Sequence, residues 1–346
     1  MTNIILTVFR QDLLSMEVVD GVKQENCFRA IRYFFAISLM LVHVATAMDI
    51  PQFMPFTGAL CVKAFFVITG FLVLFSYYRS ASIKVYARKR MKRVLPAYLT
   101  VVVACFVLGV FESRLSFAAY FTSLDSWKYL ACNALFLNFL EPCLPGVFES
   151  NPLQAVNGSL WFMKIEVIFY VCVPLFVYLL CRFRKWAVLL FVFVFSVAYN
   201  VFFSHLYVQT GDEIYRLLQR QFLGQLIYFF AGAALLLYFD AFRRCVKWVF
   251  PLGILLYALS CAGGWLHYVE PIGLAVVIVA VAYYAKFLNV VNRIPDITYG
   301  LYLYHFPIAQ TVIAHRVHEY SVPLAFVLIF AVTIIVALLS RRYVER

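Results

Sequence analysis

Long apolar stretches of about 20 residues recur along the whole chain and constrain its fold more than any other feature. Of its 346 residues, 64% are hydrophobic and 13% are charged, whereas soluble domains contain about 45–50% and 25%. A soluble protein of this size could not hide so much apolar surface, because much of its area must still face water. The chain is therefore predicted to be an all-α integral membrane protein.

The apolar stretches predict a bundle of about ten transmembrane helices. A helix needs about 20 apolar residues to cross a hydrocarbon core of about 30 Å. The predicted spans are 28–48, 58–78, 94–111, 160–181, 186–204, 221–239, 246–264, 268–286, 297–314 and 321–340. Residues 112–159 are too long and mixed for a simple connection, and their aromatic stretch at 127–140 could form an interfacial or re-entrant helix.

The basic residues predict the orientation of these spans. With the N-terminus in the cytoplasm, segments on the inside hold 22 of the 29 lysines and arginines, and segments on the outside hold five. This asymmetry follows the positive-inside rule. It predicts a cytoplasmic N-terminal segment (1–27), a transmembrane domain (28–340) whose long loop is extracytoplasmic, and a cytoplasmic tail (341–346). The net charge of +12 thus indicates membrane orientation and not nucleic-acid binding.

The first predicted span carries an arginine and a histidine on one side of the helix. Arg32 and His43 are eleven residues apart, and eleven steps of 100° return to within about 20° of the starting direction, with a rise of roughly 16 Å. A histidine that deep in a membrane costs free energy and indicates function. The structural alternative is an arginine that fixes orientation and a hydrogen-bonded core histidine.

The segment after the second span is strongly basic. It includes Arg90 and Arg93, which are three residues apart and would share one face of a helix. Two guanidinium groups on one face can bind a phosphate together. Anionic lipid headgroups would account for a basic segment equally well, so this segment alone is weak evidence of catalysis.

Polar residues also enter the fourth and ninth spans. The fourth follows Asn157-Gly158-Ser159-Leu160-Trp161 and contains Glu166, a carboxylate that is expensive in a membrane unless it is paired or used. Lys164 is a possible partner, although residues two apart point in different directions. The ninth contains Tyr302 and His305, which share a face. An aromatic helix start is often only an interfacial belt, and by itself this one favours a structural role.

Together and in this order, these segments resemble acyltransferase family 3 of membrane proteins, over about residues 26–340. Each motif alone is weak, and the five in sequence are specific. They are Arg32 to His43, Phe65–Leu72 (FFVITGFL), Arg90–Tyr98 (RMKRVLPAY), Asn157–Tyr170 and Tyr299–Pro307 (YGLYLYHFP). Lys63 departs from the acidic residue of many relatives, and Thr69 from the usual serine. These departures concern the choice of acceptor more than the reaction.

The resemblance implies a multi-pass enzyme of the bacterial inner membrane. It would transfer an acyl group from cytoplasmic acyl-CoA, usually acetyl-CoA, to a hydroxyl of a surface polysaccharide or lipid-linked sugar. His43 would act as general base or nucleophile, and Glu166 would orient or charge-stabilise it. The other implied site residues are Arg32, Arg90 and Arg93 for donor binding, and Trp161, Tyr302 and His305 as acceptor-binding or structural residues. No bound cofactor or metal is expected.

A transporter or flippase of a lipid-linked sugar is the alternative interpretation, since it too would combine ten spans with buried polar residues. Such a protein is expected to contain broken helices and paired repeats, and the sequence has no convincing internal repeat. Some relatives carry an esterase-like domain after the last span. The sequence leads us to expect that this protein acts without one or with a partner protein.

Overall fold

A computed structural model describes residues 16–51 and 56–345, and within these ranges all regular structure is helical. The α-helices are α1 (Met16–Lys23), α2 (Phe28–Ala47), α3 (Gly58–Tyr78), α4 (Ile83–Glu112), α5 (Phe117–Thr122), α6 (Leu124–Ala134), α7 (Trp161–Arg182), α8 (Lys185–Thr210), α9 (Glu213–Gln219), α10 (Phe222–Leu237), α11 (Phe239–Ser260), α12 (Glu270–Tyr284), α13 (Thr298–Ala314), α14 (Val317–Tyr320) and α15 (Val322–Tyr343). Two 3-10 helices, Gly264–Val269 and Lys286–Arg293, flank α12. The prediction of an all-α protein is confirmed.

Eight helical segments of the described chain are long and apolar enough to cross a membrane. They correspond to eight of the ten predicted spans. The predicted seventh span falls on α11, which carries Arg243, Arg244 and Lys247 in its first half. The predicted ninth falls on α13, which has 17 residues. The protein is a multi-pass membrane protein, while the count of ten and the cytoplasmic termini remain predictions. Arg10 and Arg346, which enter the charge count, lie outside the described residues.

The basic segment before the third predicted span is itself helical. The sequence predicts that span from residue 94, but α4 begins at Ile83. Ser82 precedes the helix, and its hydroxyl accepts a hydrogen bond from the backbone N–H of Val85 at 3.2 Å, which satisfies one of the free donors of a helix start. Lysine and arginine are good helix formers, so the basic residues extend the helix.

The predicted loop 112–159 contains two short helices. Ser116 caps α5 by accepting from the backbone N–H of Ala119. The next helix, α6, begins before the aromatic stretch 127–140 and ends at Ala134. Phe136 then adopts a left-handed conformation with φ 62°, which a helix cannot continue. The aromatic stretch is therefore helical only in its first half.

The chain divides into two compact units, each assembled from three segments. The first unit comprises Met1–Ile31, Val62–Arg88 and Ile165–Arg293, and the second Arg32–Cys61, Lys89–Lys164 and Ile294–Arg346. In the first unit, α3 and α10 touch through their backbones, because a Cβ atom at Gly70 would lie 1.8 Å from the carbonyl oxygen of Phe229. Gly70 is the glycine of the FFVITGFL motif, and its role here is close helix packing. In the second unit, Met40 and Val44 are buried with Ala309 and Ile329.

Candidate functional site

The second unit contains seven of the eight site residues predicted from the sequence. These are Arg32, His43, Arg90, Arg93, Trp161, Tyr302 and His305. The eighth, Glu166, belongs to the first unit.

A pair of histidines forms the centre of the site in the second unit. Nδ1 of His43, on α2, lies 2.9 Å from Nε2 of His305, on α13. The ring centroids are 5.1 Å apart with an interplanar angle of 20°. His305 is 1% exposed, whereas His43 is partly exposed. The hydrogen bond thus joins the side chains of two helices, α2 and α13.

The hydrogen bonds fix which nitrogens carry protons when both rings are neutral. Nδ1 of His305 lies 2.9 Å from the carbonyl oxygen of Leu301. A carbonyl can only accept, so Nδ1 of His305 carries the proton and its Nε2 has a lone pair. Nε2 then accepts from Nδ1–H of His43. The remaining nitrogen of His43, Nε2, is left unprotonated, which is the form of imidazole that can take a proton or attack a carbonyl carbon.

The backbone around His305 is held by the segment that precedes α7. Asn157 donates from Nδ2 to the carbonyl oxygen of Leu303 at 2.9 Å, and Ser159 donates from its hydroxyl to Oδ1 of Asn157 at 2.6 Å. Tyr302 donates from its hydroxyl to the carbonyl oxygen of Ser159. These buried hydrogen bonds join the NGS stretch to the start of α13. They give Tyr302 a hydrogen bond to the segment that precedes α7, and its role as an acceptor-binding or structural residue stays a prediction.

Gly158 permits the close approach of this segment to α13. A Cβ atom at Gly158 would lie 2.6 Å from Cζ of Phe306, the residue after His305. The Phe306 ring in turn lies edge-on to His43, with the centroids 5.7 Å apart. The glycine of the NGSLW motif therefore makes room for a ring that packs against the candidate catalytic histidine.

Two of the predicted donor-binding arginines meet at one carboxylate, Asp296. Nη2 of Arg32 lies 2.9 Å from Oδ2 of Asp296, and Nη2 of Arg93 lies 3.7 Å from the same oxygen. Thr298 donates from its hydroxyl to Oδ1 of Asp296 at 2.7 Å. Burial raises the pKa of Asp296, but Arg32, the Thr298 hydrogen bond and Arg93 together lower it below its ordinary value. The carboxylate is thus charged at neutral pH and aligns the two guanidinium groups.

The remaining predicted residues have weaker ties to this arrangement. Arg90 lies one turn before Arg93 on α4 and is partly buried. Trp161 begins α7, with its ring centroid 6.5 Å from that of Phe162. In the first unit, Glu166 accepts a hydrogen bond from the hydroxyl of Tyr170. Lys164, the partner that the sequence offered for Glu166, has its ammonium group 4.3 Å from the centre of the Phe139 ring.

Asp296 is the residue that the sequence interpretation missed. It follows Ile294-Pro295 in a short polar segment, where an aspartate is typical of a turn. Nothing in that local pattern distinguishes a turn aspartate from one that binds two arginines. The described residues contain no group of three or more His, Cys, Asp or Glu side chains that could hold a metal ion.

A family model described as an acyltransferase domain matches residues 25–342. No solved structure matches the chain.

The chain is similar to two proteins named as O-acetyl transferases and to one nodulation protein. The chain is 26% identical over 328 residues to the O-acetyltransferase OatA of Staphylococcus aureus, with 83% of this chain and 52% of the relative covered. It is 25% identical to the O-acetyl transferase of Shigella phage Sf6, covering 84% of this chain and 86% of the relative. It is 25% identical to nodulation protein 10 of Rhizobium leguminosarum bv. viciae, covering 84% of each. The chain thus spans about half the length of the staphylococcal relative.

Proposed function

Because the chain belongs to acyltransferase family 3 of membrane proteins, we propose that it is a membrane O-acyltransferase. It takes an acyl group, acetyl in the first instance, from acyl-CoA on the cytoplasmic side of the bacterial inner membrane. The acceptor is a hydroxyl of a surface polysaccharide or of a lipid-linked sugar. Relatives named as O-acetyltransferases support the acetyl group. The family match favours this activity over the transport of a lipid-linked sugar.

The observation that carries the proposal is the hydrogen-bonded series His43, His305 and Leu301 carbonyl. Each member sets the proton position of the next, and the series ends with a lone pair on Nε2 of His43. In established triads an orienting group likewise holds the histidine in the tautomer that catalysis requires. In this proposal His305 is a positioning residue for His43. Glu166, which was predicted from the sequence to orient or charge-stabilise His43, has only the charge-stabilising role in this proposal.

The proposed reaction moves the acyl group from the sulfur of CoA to an oxygen of the acceptor. The acceptor hydroxyl attacks the thioester carbonyl carbon, a new C–O bond forms, and the C–S bond to CoA breaks. Nε2 of His43 takes the hydroxyl proton and returns it to the departing thiolate. Alternatively, Nε2 attacks the thioester carbon first, the C–S bond breaks, and CoA leaves as the thiolate from an acyl-imidazolium. The acceptor hydroxyl then attacks the acyl carbon, the C–N bond breaks, and the hydroxyl proton passes to the CoA thiolate. The hydrogen-bonded tautomer supports both routes equally.

The arginines supply the donor-binding part of the proposal. Arg32 and Arg93 are held by Asp296, and Arg90 lies on the same helix as Arg93. A guanidinium group has five N–H donors, so contact with one carboxylate leaves donors for the phosphates of CoA. The positive-inside pattern puts all three on the predicted cytoplasmic side, where acyl-CoA is made.

The function is tested by mass spectrometry of surface glycans from cells with and without the protein. We expect one acyl-sized increment that depends on the protein and disappears with His43→Gln. Losing a general base typically costs about 10²–10⁴-fold in rate, more than a lost packing contact imposes through stability. The matched control is His205→Gln on α8, where the histidine is exposed and hydrogen-bonded to Gln209.

Two results would decide against parts of the proposal. A His43→Gln protein of normal abundance that still acylates at the wild-type rate would make His43 a structural residue. The two routes are separated with labelled acetyl-CoA and purified protein in the absence of acceptor. Label retained on wild-type protein and absent from His43→Gln identifies the acyl-imidazole. No retained label on a wild-type protein that transfers the acetyl group once acceptor is added identifies the direct route.

A further inference from the structure

The first unit contains a polar cavity of about 390 Å³ that the acyl-transfer proposal does not use. Specific small-molecule pockets are about 300–1,000 Å³, so this one can hold a sugar unit. Lys63, Asn200, Arg216, Gln219, Arg220 and Gln225 are among the residues that line it. We call it the basic cavity. By the predicted topology, Arg216 and Arg220 lie on the outer side of the membrane.

Two arginines give the basic cavity its charge. Arg220 is exposed at the end of α9 and forms no ion pair with any residue that the structure describes. Arg216 lies 4.1 Å from the Tyr207 ring and 3.5 Å from Oε1 of Glu213. Glu213 is exposed, and an exposed ion pair of this kind contributes little. Tyr207 stacking instead fixes the guanidinium in place and leaves its donors available.

The third cation, Lys63, is bound within the wall of the cavity. Its Nζ lies 2.6 Å from Oε2 of Glu270, and the hydroxyl of Tyr228 donates to the same oxygen at 2.8 Å. Glu270 is buried. Lys63 and Glu270 therefore neutralise each other, and the arginines determine the net charge that a ligand meets.

Three side-chain amides line the basic cavity, and each donates an N–H group to a neighbouring backbone carbonyl. Asn200 donates to the carbonyl oxygens of Ser196 and Gly224. Gln219 donates to the carbonyl oxygen of Asn200 at 2.7 Å, and Gln225 donates to that of Gln219 at 3.1 Å. None of the three amide oxygens accepts a hydrogen bond from a described residue. Acceptors of this kind suit the hydroxyl groups of a sugar.

From these contacts we propose that the basic cavity binds an acidic sugar, whose carboxylate or phosphate groups meet Arg216 and Arg220 and whose hydroxyls donate to the three amide oxygens. The inference rests on the proposed function, and it narrows the acceptor to an acidic glycan. A lipid headgroup would satisfy the arginines but has few hydroxyl donors for the amide oxygens. The observations therefore favour the glycan.

Binding is tested with the full chain in nanodiscs of zwitterionic lipid. The probes are tetragalacturonate, an oligomer of glycerol phosphate, and neutral maltotetraose, measured by calorimetry. We expect at least one acidic probe to bind about tenfold or more tightly than maltotetraose, with an affinity that falls as salt is raised. Equal binding of all three, or no binding of either acidic probe, would overturn the inference.

Variants separate the cavity from other basic surfaces. Arg220→Gln should weaken the acidic probe about tenfold, and Arg114→Gln, an exposed arginine paired with Glu149 in the second unit, should not. Equal affinity in Arg220→Gln and wild type would also overturn the inference. A third result would also overturn the inference: anionic lipid displaces the acidic probe from wild-type protein but not from Arg220→Gln. The cavity would then be a lipid site.

The two proposals fail in different measurements. If an acidic probe binds in a manner that depends on Arg220 but no acetyl group is transferred from acetyl-CoA, the acidic-sugar site stands and the proposed function fails. If transfer requires His43, proceeds equally well to acidic and neutral glycans, and is unchanged in Arg220→Gln, the proposed function stands and the acidic-sugar site fails.

Discussion

In the proposed mechanism, His305 contributes one atom, Nε2, which accepts a hydrogen bond from Nδ1–H of His43. With His305→Ala, the His43 ring loses the partner that fixes its orientation. A misplaced catalytic group typically costs about 10²-fold in rate. His305→Gln can present an amide oxygen to Nδ1–H of His43, so it should recover part of that loss. Initial rates of acetyl transfer, with donor binding measured separately, provide the check.

A different outcome would reassign the two histidines. If His305→Ala and His305→Gln lose as much rate as His43→Gln, the acceptor at residue 305 is not what matters. If His43→Gln retains activity and His305→Ala does not, His305 is itself the base. The pH–rate profile distinguishes these cases. Only replacement of the residue that acts as general base removes the part of the profile in which the rate rises as that base loses its proton.

Asp296 is expected to contribute to stability through its ion pairs with Arg32 and Arg93. Its pKa is lowered in the folded protein, so its charged form stabilises the fold above the ordinary pKa, and that contribution disappears as the pH falls through the lowered value. Asp296→Asn should therefore reduce the free energy of unfolding at pH 7 by about 1–3 kcal/mol. The difference from wild type should shrink only below pH 3.8, the ordinary value.

Thermal unfolding in detergent at several pH values measures this effect. Asp125→Asn is the control, since Asp125 forms an exposed pair with Lys128 in the same unit and should not shift the midpoint measurably. A constant difference between Asp296→Asn and wild type from pH 7 to pH 3 would contradict an ionic origin. The loss would then reflect the hydrogen bonds from Thr298.

The residues of the candidate site differ in how far the sequence could reveal them. Arg32 and His43 share a face because helix geometry alone relates positions eleven residues apart. The contact of His43 with His305 joins positions 262 apart, and no local periodicity relates such positions. The tautomers depend on the Leu301 carbonyl, a backbone atom whose direction only the folded helix determines. A sequence therefore predicts candidates on one helix better than partners on another.

At the scale of the helix, α4 carries the donor-binding prediction. Arg93→Ala should raise the KM for acyl-CoA about tenfold, since one charge-assisted contact to a phosphate is lost. Arg93→Lys should recover only part, because lysine lacks the bidentate fork. Arg90→Ala should behave alike if both arginines bind the donor. Steady-state kinetics with varied acetyl-CoA measure the change.

The matched control on α4 is Lys89→Ala. Lys89 is exposed and belongs to the same basic segment, so it tests for a general effect of charge on orientation. Equal effects of Lys89→Ala and Arg93→Ala would reduce the segment to a topology signal or a lipid contact. Full activity of the Arg90→Ala, Arg93→Ala double variant would do the same.

Helix positions were predictable from apolar runs, whereas helix ends were not. The predicted third span starts at residue 94, where apolar residues begin, but α4 begins at Ile83, because its basic residues are compatible with a helix outside the apolar core. Similarly, the Phe136 backbone conformation ends the helical part of the aromatic stretch. Hydropathy reports what a segment can bury, and backbone geometry determines where a helix stops.

At the scale of the whole chain, composition was sufficient to predict an all-α membrane protein, and the arrangement into two units was not. Each unit combines three segments from distant parts of the sequence. The first unit is joined by contacts such as the hydrogen bond from Arg29 to the carbonyl oxygen of Asn292 at 2.7 Å. Contacts over such separations arise from the folding of several spans together, which no single apolar run records.

The orientation of the chain in the membrane is the last prediction, and every assignment of a site to a membrane side depends on it. The 22-to-5 distribution of basic residues predicts that a reporter active only in the cytoplasm is active when fused after Arg93 or after Arg346 and inactive when fused near Ser150. A periplasm-active reporter should give the reverse pattern at the same three positions, which controls for unstable fusions. A cytoplasmic signal at Ser150 would place loop 112–159 inside and contradict the ten-span arrangement. It would also remove the membrane side assigned to each of the proposed sites.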